Sequence, residues 1–309
     1  MATPVISAAE ALPPRDALHE AKRLAESLPD LLMEARRVAN TILAGWHGRR
    51  RAGPGETFWQ FRPFVSGEPA SGIDWRRSAH DDHLYVRDTE WEAAHTVWLA
   101  PDLSPSMAFR SRHAAASKRD RAAVATLAIA ALLAHAGERV GLLGSTRPIL
   151  SRNAPETLSR ALPSAGGTDL DLRELRQHSD LVIISDFLDG TDAMEKRIAA
   201  IAATGARAHL LQIVDPIEET FPFGGRMEFV DPETGARVTV GRAEAWRTAY
   251  QERLAALRER LRLHARRLDW TFLIHRTDRP ATEPLLALHA RLTDRGLRRH
   301  AHALPGAFA

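Results

Sequence analysis

The chain has 309 residues, 44% hydrophobic and 26% charged, a composition typical of a globular protein with one large domain or two ordinary ones. Its 42 basic and 39 acidic residues leave a formal net charge of only +3. The basic residues are almost all Arg, which we attribute to coding bias. We predict no nucleic-acid partner, because a clustered basic patch would be better evidence and the short run of Arg49, Arg50 and Arg51 is better explained as a solvated linker. The absence of Cys excludes disulfides and thiolate chemistry and agrees with a reducing compartment.

From the sequence we expect neither a membrane span nor an export segment. The first residues, MATPVISAAEALPPRD, lack a basic region and contain Pro13 and Pro14, so we expect no signal peptide. The most apolar long segment, AAVATLAIAALLAHA at 122–136, is shorter than the roughly 20 apolar residues that a membrane span needs. We therefore predict a buried helix here, no membrane span, and a cytoplasmic protein.

The first third of the chain divides into three parts. We predict a disordered N-terminus at 1–15 and a helical arm at 16–47, bent or divided at Pro29, because apolar residues recur there at helical spacing. The arm could serve oligomerisation or pack on its own domain. Residues 48–94 are rich in Gly and aromatic residues with short alternating runs, which predicts a small β-rich subdomain. Within it we expect Trp75 in the core and Asp74 bonded to local backbone.

From residue 95 to 298 the pattern is strand–helix alternation, with a loose tail expected at 299–309. The predicted strands are TVWLA at 96–100, RVGLLG at 139–144, LVIIS at 181–185, AHLLQIV at 208–214 and WTFLI at 270–274. Residues 227–240, MEFVDPETGARVTV, predict a hairpin. Strands alternating with helices in this way indicate an α/β fold, a mostly parallel sheet with helices on both faces.

Polar clusters follow at three places in this domain. They are Asp102-Leu103-Ser104-Pro105-Ser106 after the first strand, Gly166-Gly167-Thr168-Asp169 before a helix, and Ser185-Asp186 at the end of LVIIS. Ligands of open α/β sheets bind at the carboxyl ends of the strands. Carboxylate and hydroxyl oxygens without His or Cys suit Mg²⁺ and suit Zn²⁺ poorly. Alone, however, DLSPSM is more typical of an ordinary turn with helix-capping residues.

The three clusters together resemble a known site. DxSxS (Asp102, Ser104, Ser106), Thr168 and Asp186 resemble the metal-ion-dependent adhesion site of von Willebrand factor A domains. From about Gly48 to Leu292 the chain resembles, more specifically, the MoxR-associated family catalogued as domain of unknown function 58. Further matching segments are FRPF at 61–64, Gly67, IDW at 73–75, SA at 78–79, GGTDL at 166–170, EFVD at 228–231 and ETG at 233–235.

The resemblance implies a von Willebrand A-like, Rossmann-type domain with a divalent cation, Mg²⁺ or else Mn²⁺ or Ca²⁺. It implies that Ser104 and Ser106 bind the cation directly through their hydroxyls, and that Thr168 does so when a partner is engaged. Asp102 and Asp186 would hold it mainly through bound waters. Such a cation is under-neutralised, so an open coordination position favours a carboxylate from another protein.

The third loop departs from the pattern of many A domains. It reads Ser-Asp-Phe-Leu-Asp-Gly, without a Gly directly after the first Asp. Either Asp186 or Asp189 could therefore be the acidic metal-site residue of the third loop. We favour Asp186 because it lies at the end of the strand.

The function implied by the resemblance is protein interaction. A MoxR-type AAA+ ATPase is the expected partner, and the pair would mature or remodel an unknown client complex in a chaperone-like manner. No general base is evident at the three loops, and GLLGST at 141–146 lacks the lysine of a phosphate-binding loop, so we predict no enzyme. The alternatives are a Mg²⁺- or Mn²⁺-dependent hydrolase and a metal-free structural scaffold.

Overall fold

The computed structural model describes residues 17–46, 58–65, 70–80, 83–89, 95–165, 170–177 and 179–302. The chain forms two compact units, one made of residues 1–47 and 95–309 and the other of residues 48–94. In the ranges described, none of the helices has the length and apolar character needed to cross a membrane.

The elements are numbered in chain order. The helices are α1 (Ala17–Trp46), α2 (Trp75–Ser78), α3 (Lys118–His135), α4 (Ala154–Ala161), α5 (Thr191–Ala203), α6 (Pro216–Thr220), α7 (Arg247–Arg267) and α8 (Thr282–His302). The strands are β1 (Phe58–Pro63), β2 (Tyr85–Thr89), β3 (Thr96–Pro101), β4 (Arg139–Leu142), β5 (Asp180–Ser185), β6 (Arg207–Val214), β7 (Met227–Val230), β8 (Arg237–Val240) and β9 (Thr271–Arg276).

A five-stranded sheet forms the centre of the larger unit, in the order β4-β3-β5-β6-β9. Every neighbouring pair is parallel. The α/β class and the parallel sheet predicted from the sequence are therefore confirmed. After β3 the chain passes to one side to form β4 and then returns to the other side to form β5. The order of winding thus reverses between β3 and β5, which is where ligands bind in open α/β sheets.

The two faces of the sheet bury different helices. Val97 and Leu99 of β3 lie in a core with α1, α3, α4 and α8. Trp98 and Ala100 point to the opposite face and pack with α5 and α7. Successive side chains of a strand alternate between faces, so an uninterrupted apolar run is what a strand covered on both faces requires.

Helix α3 fills the space between α1 and the sheet. Its residues 122–130 are all buried, and this confirms the buried helix predicted for the Ala-rich segment. Ser117 and Asp120 form a capping box, in which each side chain accepts a hydrogen bond from the other residue's backbone N–H. Helix α1 packs its apolar side chains into the same core and is continuous through Pro29.

The smaller unit pairs β1 with β2 in antiparallel orientation. Asp74 caps α2 by accepting a hydrogen bond from the Arg77 N–H at 2.9 Å, which confirms its predicted local role. The core position predicted for Trp75 is wrong, because that side chain is 63% exposed. As the first residue of a one-turn helix, Trp75 lies on the side of α2 that faces solvent.

Strands β7 and β8 form the predicted hairpin. The connection between them contains Gly235, whose φ of 72° lies in the left-handed region that favours glycine. Phe229 of β7 is buried against the rings of Phe221, Phe223 and Trp246, so an aromatic cluster fixes the hairpin.

The structure corrects the prediction for the C-terminal end of the chain. Helix α8 extends to His302, so residues 299–302 are helical rather than part of a loose tail. The predicted disordered segment 1–15 and residues 303–309 lie outside the described residues.

Candidate cation site

Asp102 is the first residue after β3 and is held from three directions. Its N–H donates to the Ile184 carbonyl at 2.8 Å, which extends the parallel pairing of β3 with β5. Its carboxylate Oδ1 accepts from the Ser104 N–H at 3.0 Å, and Oδ2 accepts from the Ser185 hydroxyl at 2.7 Å. The loop is therefore a genuine Asp-stabilised turn, and it fixes a buried carboxylate at the reversal point of the sheet.

The two serines of this loop converge. Ser104 precedes a single 3₁₀ turn, Pro105–Ala108, that places Ser106 on the same side of the loop. The hydroxyl oxygens of Ser104 and Ser106 lie 3.0 Å apart. Two hydroxyl oxygens at this separation, next to a carboxylate, make a set of hard oxygen donors.

The carboxylate of Asp102 is only 4% exposed and accepts hydrogen bonds from neutral donors. Among the described residues, no Lys, Arg or His forms an ion pair with it. A buried charge without a counter-charge is costly. A cation held by Asp102 and the two adjacent hydroxyls would offset that cost.

Asp186 directly follows β5, and the next residue, Phe187, has a φ of 59°. Its Oδ1 accepts from the Leu188 N–H at 3.0 Å, and its Oδ2 accepts from the ammonium of Lys118 at 2.7 Å. The other acidic candidate of this loop, Asp189, pairs with Arg197 at 2.9 Å. Desolvation raises the pKa of the Asp189 carboxyl, and the negative charges of Asp102 and Asp186 raise it further.

Lys118, the first residue of α3, is fully buried and lies between two carboxylates. Its ammonium donates to Asp186 at 2.7 Å and to Glu218 of α6 at 2.6 Å. Burial opposes the charged ammonium, but the charges of Asp186 and Glu218 outweigh burial and raise the pKa of Lys118 above its ordinary value. The lysine is therefore charged, and one ammonium faces two carboxylates.

Sequence reasoning missed Lys118 and Glu218 as parts of this region. A signal existed for one of them, because the chain contains only three lysines, at positions 22, 118 and 196. Rarity alone does not identify a buried ammonium, however, since Lys196 is exposed. Ser185 was named in the third polar cluster but was given no role of its own.

Hydrogen bonds link some of the predicted metal ligands to one another. Asp102, Ser104 and Ser106 are joined by direct hydrogen bonds. Asp186 is joined to them through its neighbour Ser185, whose hydroxyl donates to Asp102. Thr168 and the rest of 166–169 lie outside the described residues.

The donor chemistry of Asp102, Ser104 and Ser106 fits a hard cation that retains water. In the ranges described, no three or more His, Asp, Glu or Cys side chains are arranged to hold a metal. A cation here would consequently depend on hydroxyl oxygens, one carboxylate and water. Mg²⁺ is commonly bound in this way, with several waters retained. Asp186, with both oxygens engaged, would act through water.

One more carboxylate lies at this loop. The N–H of Ser106 donates to Oε1 of Glu233 at 3.0 Å, across 127 residues of sequence. Glu233 belongs to the connection between β7 and β8. The sequence placed it in the ETG segment of the hairpin without giving it a role.

Two curated relatives of this chain are described as uncharacterized proteins. They come from Mycobacterium tuberculosis and Mycobacterium bovis, and each is 28% identical to this chain over 232 residues, which is 69% of this chain and 72% of theirs. The BatB protein of Bacteroides thetaiotaomicron, described as a conserved hypothetical protein, aligns with 66% of this chain and 100% of its own at 12% identity and a TM-score of 0.36. An aerotolerance-related membrane protein of Bacteroides fragilis aligns over the same shares at 10% identity and a TM-score of 0.35.

A family model matches more than half of the chain. It covers residues 60–260, a range that includes part of the smaller unit, the strands β3 to β6, the loop of Asp102 and the hairpin. The chain thus belongs to the family described as Protein of unknown function DUF58.

Proposed function

We propose that this chain is a non-enzymatic, metal-dependent protein-interaction protein. Its larger unit would be a von Willebrand A-like domain with an adhesion-type cation site. The cation would be Mg²⁺, with Mn²⁺ or Ca²⁺ as substitutes. The partner would be a MoxR-type AAA+ ATPase, and the pair would mature or remodel a client complex.

The proposal rests on the burial and the hydrogen bonding of the Asp102 carboxylate. Its carboxylate is buried, has no cationic partner among the described residues, and accepts the N–H of Ser104. The paired hydroxyls of Ser104 and Ser106 lie in the same turn. A buried carboxylate carries a desolvation cost that a neutral residue in the same turn would avoid. Ligand binding therefore explains Asp102 better than stabilisation of the fold does.

In this proposal each residue has a separate part. Asp102 supplies negative charge and orients the loop, whereas Ser104 and Ser106 supply the hydroxyl ligands. Thr168 would add a further hydroxyl when a partner is bound. A bound divalent cation would offer an open coordination position to a carboxylate of another protein. The resemblance to the MoxR-associated family supplies the identity of the ATPase partner.

Calorimetry with Mg²⁺ and Mn²⁺ tests the cation. We compare the wild type with Asp102→Asn, which retains the shape and one acceptor oxygen but removes the charge. The matched control is Asp192→Asn, at an exposed position of α5. We expect Asp102→Asn to lower the affinity at least about tenfold, a loss of about 1.4 kcal/mol, and the control to have no effect. Equal binding by Asp102→Asn and the wild type contradicts the proposal.

Affinity purification with and without EDTA tests the partner. We expect an AAA+ ATPase to co-purify with the wild type and with Asp192→Asn, and to be lost with EDTA or with Asp102→Asn. Failure to recover an ATPase contradicts the partner, and recovery that ignores both EDTA and the variant contradicts metal-dependent docking.

The buried ammonium of Lys118 favours a second candidate, a metal-free scaffold. In such a protein, Lys118 supplies the positive charge that a cation would otherwise give to Asp186. The scaffold predicts no heat of binding at millimolar Mg²⁺ and an unchanged interaction with partners in EDTA. The same calorimetry therefore separates the two candidates.

A further inference from the structure

The tip of the β7–β8 hairpin brings a carboxylate of the chain itself to the loop of Asp102. Oε1 of Glu233 accepts from the N–H of Ser106 at 3.0 Å. The amide nitrogen and the hydroxyl oxygen of one serine are separated by only two carbon atoms. The contact therefore places the carboxylate of Glu233 at the backbone of the turn whose hydroxyl pair is Ser104 and Ser106.

The backbone around Glu233 is arranged to hold this side chain in place. Oδ1 of Asp231 accepts from the Glu233 N–H at 2.9 Å, and Oδ2 accepts from the Thr234 hydroxyl at 2.6 Å. The Gly235 N–H donates to the Asp231 carbonyl at 2.8 Å. Asp231 thus closes the turn by itself, and the side chain of Glu233 is not needed to form it.

The contact also does not anchor the hairpin. Phe229, 2% exposed, packs with Phe221, Phe223 and Trp246 and holds β7 in position. Glu233 is exposed, so water competes for its hydrogen bond with the Ser106 N–H and the bond adds little to the stability of the hairpin. A carboxylate that is dispensable for folding but is held at the backbone of a turn carrying hard oxygen donors is suited to a binding role.

We propose that Glu233 is an internal carboxylate ligand of the cation site, seated where the acidic side chain of a partner would bind. This inference rests on the proposed function. The Glu233 carboxylate completes the ligand set of the cation while no partner is bound, and a carboxylate of the partner displaces it. Because Glu233 is exposed at a hairpin tip, its side chain can leave without disturbing the aromatic cluster.

The proposal predicts two changes in affinity that are opposite in sign. Replacing Glu233 by Gln removes one anionic ligand, so the affinity for a divalent cation decreases, by about tenfold if one charged ligand is worth about 1.4 kcal/mol. The same change removes an internal competitor, so the affinity of the bound cation for an external carboxylate increases. A merely structural side chain would produce neither effect.

The test uses the full chain with Mn²⁺ and then acetate as probes. Mn²⁺ binding is measured by electron paramagnetic resonance. Acetate binding to the Mn²⁺-loaded protein is measured by the relaxation of water protons, with acetamide as the uncharged control. The proteins are the wild type, Glu233→Gln, Asp102→Asn and Glu228→Gln. Glu228 is an exposed glutamate of the same hairpin that pairs with Arg237, so its variant is the matched control.

We expect Glu233→Gln to bind Mn²⁺ about tenfold more weakly and acetate more tightly, and Glu228→Gln to match the wild type. If Mn²⁺ binds the wild type and binds Asp102→Asn more weakly, but Glu233→Gln lacks either change, the inference is overturned and the cation site stands. If the wild type binds no Mn²⁺, or Asp102→Asn binds it equally well, the cation site and the inference are both overturned.

Discussion

At Lys118, one side chain connects three elements of the larger unit. The ammonium joins the N-terminus of α3 to Asp186 after β5 and to Glu218 in α6. Oε2 of Glu218 in turn accepts from the Asp215 N–H at 2.8 Å, as part of the capping box of α6. Burial raises the pKa of the Glu218 carboxyl, although the charge of Lys118 opposes this. The lysine therefore supplies the positive charge that allows two acids to remain buried next to the candidate cation site.

We predict that Lys118→Met destabilises the protein by about 3–5 kcal/mol, because it leaves Asp186 and Glu218 buried without a counter-charge. The exposed Lys196→Met is the matched control and should change the free energy of unfolding by no more than about 0.5 kcal/mol. Urea denaturation followed by circular dichroism provides the measurement. Equal midpoints for the two variants would show that the buried pair does not stabilise the fold.

The edge of the sheet depends on a close approach between β4 and β3. Gly141 of β4 is paired with Trp98 of β3, whose indole is nearly buried. A Cβ at position 141 would lie 2.9 Å from Cζ3 of Trp98 and 3.3 Å from Cα of Pro148. The missing side chain at Gly141 thus makes room for the indole beneath α5 and α7.

Gly141→Ala is expected to lower the free energy of unfolding by about 1–3 kcal/mol, since the indole ring and the Pro148 backbone must move apart. At Gly241 an added Cβ meets nothing within 4 Å. Gly241→Ala is therefore the control, and we expect it to be neutral or to stabilise by up to about 1 kcal/mol through the unfolded chain. Guanidinium denaturation of both variants decides the matter, and a Gly141→Ala protein as stable as the wild type would refute the close contact.

Over the whole molecule, stability should depend on pH through buried histidines. Burial lowers the pKa of His275 in β9 to about 4, and the charge of Arg121 contributes. Burial also lowers the pKa of His289 in α8. Both imidazoles are neutral in the folded state, whereas the unfolded chain takes up protons below about pH 6.5. The unfolded state thus binds more protons in this window, and stability decreases as pH falls.

The pKa of His275 lies near 6.5 in the unfolded chain and at about 4 in the folded protein, so its stability contribution is lost between these pH values. The loss of unfolding free energy reaches about 3 kcal/mol near pH 4. His275→Gln removes the titrating group, so we expect a flatter dependence of the unfolding free energy on pH in that window. The exposed His113→Gln is the control and should retain the wild-type slope. Parallel curves for all three proteins would show that His275 does not contribute.

Much of the architecture could be predicted because its causes are local in sequence. Apolar runs such as LVIIS at 181–185 predicted strands buried on both faces, and MEFVDPETGARVTV at 227–240 predicted a hairpin. The turn of Asp102 is likewise encoded within three residues, since the carboxylate accepts the N–H of Ser104. Trp75 was misplaced because a large aromatic residue is usually buried, and no local pattern tells that the one-turn helix α2 turns it to solvent.

The sequence by itself determined the strands, the buried helix α3 and the loop that carries Asp102, Ser104 and Ser106. Hydrophobic periodicity and side-chain bonding to nearby backbone fix such features over a few residues. Only the tertiary structure decided that Lys118 meets Asp186, 68 residues away, and that Glu233 reaches Ser106, 127 residues away. Those contacts follow from the order of the strands and the position of the hairpin, and both are set by packing between segments that are distant in sequence.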